Sequence, residues 1–259
     1  MTSLSKLGRK PGINGGCVQC QRREALDFDF AFAFQPIIAL SSKSIFGHEA
    51  LVRGPNGESA ASVLAKVTDD NRYMFDQACR VNAIKNAARL GIKELLSINF
   101  LPNAVYQPEA CIQATFAAAR AYNFPIERII FEVTEGEEVR NHAHLVNIFQ
   151  EYEKFGFKTA IDDFGAGYAG LTLLSEYQPD IVKIDMELVR GIENSKARRA
   201  IVRGIVAICM ELDVQILAEG IETTAERDCL QELGIDLMQG YLFCRPALMA
   251  IGVIDARAW

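Results

Sequence analysis

The stretch KTAIDDFGAGYAGL, residues 158–171, joins an apolar run to two adjacent carboxylates, Asp162 and Asp163, and then to a loop carrying Gly165 and Gly167. The apolar lead-in suits a parallel strand covered on both faces, and glycines permit backbone angles or close approaches that a side chain would block. Successive side chains of a regular strand point to opposite faces, so neighbouring aspartates can serve one site only where the pleat breaks down at the strand's end. Asp162 and Asp163 occupy such a position. Two adjacent carboxylates supply hard oxygen ligands to one or two divalent ions, and phosphodiester hydrolysis commonly uses two ions about 4 Å apart. Taken alone, the same residues equally describe a solvated Asp-Asp turn with ordinary loop glycines.

Six more apolar runs carry near their ends a polar residue of the kind a metal-phosphate site requires. They are GHEALVR with Glu49 and Arg53, LLSINF with Asn99, IIFEVTE with Glu132 and Glu135, DIVKID with Lys183, QILAEGIE with Glu219 and Glu222, and LMQGY with Gln239. Most gaps between successive markers are near the length of one strand-helix unit. A (β/α)8 barrel gathers residues from several strand ends at one face, as this pattern requires.

In this order and spacing the runs resemble the EAL-domain family of cyclic di-GMP phosphodiesterases. Glu49-Ala50-Leu51 sits in an ExLxR context ending at Arg53, preceded by FQPI and followed by SIN, FEVTE, DDFG, KID, AEGIET and QGY, all between Phe34 and Pro246. The resemblance implies an α/β fold, a modified (β/α)8 TIM-like barrel with one antiparallel strand. It implies metal-dependent hydrolysis of cyclic di-GMP to linear pGpG, lowering this bacterial second messenger, in a homodimer that pairs through helices beside the Ala166 to Leu171 loop. It also implies that Glu49, Asn99, Glu132, Asp162 and Asp163 bind two Mg²⁺ or Mn²⁺ ions, that Glu219 acts as general base, that Gln239 lines the site and that Glu135 braces the loop after the aspartates.

Side-chain chemistry agrees with these roles. Carboxylates and an amide carbonyl are hard donors suited to Mg²⁺ or Mn²⁺, whereas Ca²⁺, larger and looser in coordination, should support binding better than turnover and so inhibit. Arg53 offers a planar fork and Lys183 a compact charge for phosphate oxygens. Lys183 has two alternatives, orienting the attacking water or a plain internal ion pair, and water activated by the ions could attack without Glu219. Glu222 reads either as a second support for the site or as a surface carboxylate. The loop DFGAGYAGL has Ala166, Ala169 and Gly170 where the family commonly has DFGTGYSSL, so hydroxyls that could hold it are lost. A non-catalytic cyclic di-GMP receptor is the main alternative; a barrel enzyme acting through an enolate would leave ExLxR and QGY unexplained.

Composition narrows the setting. With 259 residues and 50% hydrophobic content the chain can bury one large core, and its net charge of -6 argues against affinity for nucleic acid polymers or anionic membranes. The most apolar early segment, Phe30 to Leu40, includes Gln35 and Pro36 and falls short of the roughly 20 residues needed to span a bilayer. No apolar signal core follows the basic N-terminus, so a cytoplasmic protein with reduced thiols is expected.

Residues 1–25 read as a flexible tail and 26–259 as the phosphodiesterase domain. The tail's CxxC, Cys17 and Cys20, is open to three readings: an incidental pair, half of a zinc site completed elsewhere, or a redox pair. From Phe28 an alternation of Phe28, Phe30, Phe32 and Phe34 predicts a strand that turns near Ser41 to Ser44 and returns antiparallel through Glu49, Leu51 and Arg53. Helices are expected over Ser59 to Leu90, with a break at Asp69 to Asn71, and near Glu109 to Tyr122, Asn141 to Phe155, Ala169 to Tyr177, Ala197 to Leu212 and Thr224 to Leu233. A closing helix is expected over Ala247 to Trp259.

Overall fold

The computed structural model describes residues 26–134, 142–167 and 170–259. The tail over residues 1–25 with Cys17 and Cys20, and the positions Glu135 and Ala169, lie outside the described residues. The strands are β1 (Ala31–Ala39), β2 (Ser44–Arg53), β3 (Leu95–Asn99), β4 (Ile129–Thr134), β5 (Lys158–Phe164), β6 (Ile181–Ile184), β7 (Gln215–Ala218), β8 (Leu237–Met238) and β9 (Ala247–Leu248). The α-helices are α1 (Ala60–Leu64), α2 (Arg72–Leu90), α3 (Pro108–Cys111), α4 (Gln113–Tyr122), α5 (His142–Lys154), α6 (Gly170–Glu176), α7 (Met186–Val189), α8 (Lys196–Glu211) and α9 (Thr224–Glu232). Among the described residues no helix is long and apolar enough to cross a membrane.

Strands β2 through β8 follow one another in parallel, and β1 closes the ring, antiparallel to both β2 and β8. The hairpin predicted for β1 and β2 is present, with Gln35 opposite Glu49. Strand alternation then sorts side chains into two cores. Outward-facing Ile98, Phe131, Ile161, Val182, Ile184, Ala218 and Met238 pack with the surrounding helices in the large core. Inward-facing Ile37, Ile130, Ala160, Ile181, Leu217 and Leu237 form a small separate cluster, with Leu95 against it. At Gly47 on β2 a Cβ would press on Leu95, so the smallest residue stands where neighbouring strands come closest.

This inner plug positions the site. Side chains two apart on a strand share a face. The residue two beyond each plug position, or beyond Gly47 on β2, in the direction of the barrel mouth, is polar for each of β1 to β8: Gln35, Glu49, Ser97, Glu132, Asp162, Lys183, Glu219 and Gln239. Apolar packing below therefore sets the height at which the polar layer stands.

Two expectations are corrected. Strand β1 starts at Ala31, not at Phe28; Phe28 and Phe30 instead rest on Phe75 of α2, ring centroids 6.1 and 5.3 Å apart, so the aromatic alternation outruns the strand pairing. The segment from Ala247 to Trp259 is not a helix but β9 followed by a short 3₁₀ turn over Ala256–Ala258. Strand β8 pairs β1 only at Ile38 and Ala39, leaving the outer part of β1 open, and Ala247 and Leu248 take that edge against Phe34 and Ala33. Ile251, Gly252, Val253 and Ile254 are also poor helix formers.

The loops after β7 and β8 are locked backbone to backbone. Ile221 N donates to Gln239 O at 3.1 Å and Leu242 N to Ile221 O at 3.0 Å, and a Cβ on Gly240 would collide with the Ile221 backbone. Gly240→Ala should therefore lower unfolding free energy by about 1–3 kcal/mol, the usual range for overpacking. Urea denaturation of the parent and variant at matched pH measures it.

Candidate active site

Lys183 stands at the centre of the polar layer, with its side chain 2% exposed. Its Nζ lies 2.8 Å from Glu219 Oε1, 3.0 Å from Glu132 Oε2, 3.1 Å from Asp162 Oδ1 and 3.7 Å from Glu49 Oε1. The carboxylates are tied to one another through neutral donors. Ser97 Oγ donates to Glu132 Oε2 at 2.5 Å, and Asn99 Nδ2 donates to Glu132 Oε1 at 2.6 Å and to Glu49 Oε1 at 3.3 Å. Gln239 Nε2 donates to Glu49 Oε2 at 2.7 Å and to Gln35 Oε1 at 3.1 Å.

The neighbouring aspartates meet because β5 breaks its pleat. Its register against β6 shifts between Ile161 and Phe164, and Asp163 takes φ +54°. That left-handed turn swings a side chain otherwise bound for the outer face back toward the mouth, and Asp is one of the few residues that tolerate it. Asp163 N donates to Asp162 Oδ1 at 2.9 Å, and Gly165 continues the turn at φ +95°. Two overlapping groups of carboxylates result, Glu49, Glu132 and Asp162, and Asp162, Asp163 and Glu219, each with ligand atoms within 4.8 Å of one another.

One ammonium among four carboxylates leaves negative charge unbalanced. Burial pushes Glu132 and Glu219 well above the ordinary carboxylate value, and it raises Asp162 too, all against the pull of Lys183. Burial acts in the same direction on Glu49, but Lys183 and the amides of Gln239 and Asn99 outweigh it and hold Glu49 below its usual value. For Lys183 burial is likewise overcome, by Asp162, Glu132, Glu219 and Glu49, so it stays charged. Oxygen donors crowded into two groups that share Asp162, with charge to spare, fit hard divalent ions such as Mg²⁺ or Mn²⁺. Glu49, Glu132, Asp162, Asp163 and Glu219 could hold them, with the Asn99 amide at their edge; rotating that amide would present its oxygen in place of its nitrogen.

A cleft of about 560 Å³ opens over this layer. Arg53 and Glu222 line it but stand apart from the carboxylate cluster. Arg53 Nη1 donates to Val52 O at 2.7 Å, and Glu222 makes a two-pronged pair with Arg190, at 2.8 and 2.9 Å. His48, next to Glu49, points to the other face of β2, as its strand position predicts; it is buried, with Nδ1 3.9 Å from Glu94. His144 lies on α5 and meets Val105 O at 2.5 Å.

Sequence reasoning missed Gln35, Ser97, Arg190 and Glu226. The first two were findable, because each lies two residues beyond a plug position. Glu226 was hidden by its helix. It is 2% exposed, and its carboxylate accepts from Gly191 N, Glu222 N and Thr223 N at 2.9, 2.9 and 3.0 Å, bracketing the loops after β6 and β7.

Comparison with known proteins follows the same lines. A family model described as the EAL domain matches residues 19–246. Among curated proteins, BluF, the blue light- and temperature-regulated antirepressor of Escherichia coli K12, is 34% identical over 230 residues, 88% of this chain and 56% of BluF. The cyclic di-GMP phosphodiesterase PdeR of the same organism is 35% identical over 124 residues, 48% of this chain and 19% of PdeR. The chain thus spans about half of BluF's length and far less of PdeR's. Among solved structures, a standalone versatile EAL protein from Vibrio cholerae O395 in its c-di-GMP bound form has a TM-score of 0.88 and 51% identity over 90% of this chain and 99% of that one. A manganese and cyclic di-GMP complex of BlrP1 from Klebsiella pneumoniae has a TM-score of 0.81 and 37% identity over 86% of this chain and 57% of that one.

The electrostatics generate a pH test on metal-free protein. Burial, then Asp162 and Asp185, push Asp163 from 3.8 up to about 6. A carboxyl raised on folding costs stability where it is ionised in both states, and costs none where both states hold the proton. Chelator-treated Asp163→Asn should therefore melt above the parent at about pH 8, the gap narrowing as pH falls through about 6 and closed below 3.8. Asn accepts the same left-handed backbone. Differential scanning calorimetry across this range is the check, and saturating Mn²⁺ should reverse the order.

Proposed function

This chain belongs to the EAL domain family, and we propose that it is a phosphodiesterase that hydrolyses cyclic di-GMP to linear pGpG with two Mg²⁺ or Mn²⁺ ions. The observation that carries the proposal is the pair of overlapping carboxylate groups sharing Asp162, the second of them including Glu219, gathered around Lys183 beneath one cleft. Residues 26–259 make up the catalytic domain, and the reading places it in the cytoplasm with the messenger it consumes.

Glu49, Asn99, Glu132, Asp162 and Asp163 would hold the ions. When bound, divalent ions supply Lewis acidity toward the phosphate and lower the pKa of water. Glu219, whose proton affinity burial raises, would take the proton of the attacking water as general base from its carboxylate form. Lys183, 2.8 Å from Glu219, holds that carboxylate in place and orients the water, and its charge offsets what develops on the phosphate. Arg53 meets phosphate oxygens from the cleft wall and Gln239 secures Glu49. Glu222 acts at one remove, through Arg190 on the rim.

A second reading, a non-catalytic cyclic di-GMP receptor, draws on the likeness to BluF, which is named an antirepressor. The complete set of hard ligands favours the enzyme.

The chain is further proposed to act as a homodimer through α6 and the loop before it, where Leu171 is 60% exposed. Leu171→Glu should give a monomer by light scattering, with slower turnover. Product chromatography should show pGpG with Mg²⁺ or Mn²⁺ and substrate bound but uncleaved with Ca²⁺; tight binding without pGpG in Mg²⁺ and Mn²⁺ alike would support the receptor. Glu219→Gln should lower kcat by about 10²- to 10⁴-fold, the usual contribution of a positioned base, with Mn²⁺ still bound.

A further inference from the structure

Behind β3 and β4, on the helix side of the barrel wall, α2 buries an ion pair that the reaction does not use. The side chains of Arg80 and Asp76 are 0% and 1% exposed, with Arg80 Nε 2.8 Å from Asp76 Oδ2. Arg80 Nη1 donates to Tyr152 Oη at 2.6 Å. Its guanidinium lies 4.8 Å from the ring centroid of Phe131 and 5.5 Å from that of Phe100. The other oxygen of Asp76 accepts from Leu101 N at 2.9 Å.

Replacing such a pair by apolar residues is often neutral or stabilising, so stability alone does not account for it. What it touches does. Phe131 immediately precedes Glu132, and Phe100 and Leu101 immediately follow Asn99, the last residue of β3. Phe100 N also donates to Glu132 O at 3.1 Å, so the two strand ends are already coupled.

We propose that the Asp76–Arg80 pair is a positioning device for the metal centre, gripping the neighbours of Asn99 and Glu132 from behind and so setting where those two side chains stand. The inference rests on the reading above that both are metal ligands. Asn99 needs such a hold most: it ends its strand and faces the cleft, with a loop beginning at the next residue. The guanidinium plane covers at once a ring on β4 and the ring that follows the end of β3, a task that a lysine ammonium cannot perform.

The test is direct Mn²⁺ binding, followed by paramagnetic resonance of the free ion, on parent and Asp76→Asn/Arg80→Met. The double variant removes both charges together, keeps an acceptor for Leu101 N and fills the guanidinium's place with an apolar chain. The expected result is a folded protein with Mn²⁺ affinity weaker by about 10- to 100-fold, the range for residues that orient ligands, and with kcat lowered more than KM is changed. A folded double variant that binds Mn²⁺ as tightly as the parent overturns the inference while leaving the proposed function standing. A parent that binds no Mn²⁺ overturns both. If the double variant does not fold, Arg80→Lys, which keeps the charge beside Asp76 but loses the plane over Phe100 and Phe131, takes its place; weakened Mn²⁺ binding supports the clamp and unchanged binding overturns it.

Discussion

The buried ammonium of Lys183 is the interaction on which the rest of the structure depends. Four carboxylates converge on it within 3.7 Å, three from different strands and Glu219 from just past the end of β7. Such a gathering is unfavourable in a low-dielectric interior unless charges are paired and every remaining lone pair has a donor. Ser97, Asn99 and Gln239 supply donors. The apolar plug beneath and the closed ring of strands supply the rigidity, since no side chain of the layer can relax outward without disturbing a barrel position two residues away. A site of this kind holds strong unbalanced charge in fixed geometry, the condition in which a hard cation binds tightly.

Much of this was legible in the sequence, and for identifiable reasons. Polar residues at the ends of apolar runs are conspicuous, so Glu49, Asn99, Glu132, Asp162, Lys183, Glu219 and Gln239 stood out, and the break in the pleat at Asp163 followed from two adjacent aspartates needing one face. Their supports were less conspicuous. Ser97 is a small hydroxyl inside LLSIN, and Gln35 lies in a run whose alternation is dominated by phenylalanine. Arg80 was masked for a different reason: helix periodicity reports which face is covered, and a guanidinium wrapped in rings occupies a position that pattern assigns to a hydrophobe. The C-terminal segment was misread because the edge of β1 that recruits it is a property of a strand more than 200 residues earlier, where Ala33 pairs with Leu248.

Rigidity at the mouth comes from backbone contact as much as from side chains. Gly220, at φ +67°, leaves no room for a Cβ beside Met186, and Gly240 sits equally tightly against Ile221. Glu226 ties the same loops from beneath, and a capping box with Thr223 holds it at the start of α9. The rim pair Arg190 and Glu222 therefore stands on segments with little freedom of their own.

The reversed first strand also determines how the chain can reach this state. Because β1 seals the ring between β2 and β8, its hairpin with β2 is a local event, whereas Ile38 can meet Met238 only after almost the whole barrel has been synthesised. Loop-closure entropy over that separation makes the seam late and slow relative to the hairpin. While a ribosome is still producing the intervening strands, the far edge of β1 presents unpaired amides beside Phe32 and Phe34, the kind of surface on which nascent chains associate wrongly. The last strand pairs to be added are thus the ones that withdraw this adhesive edge from the cell.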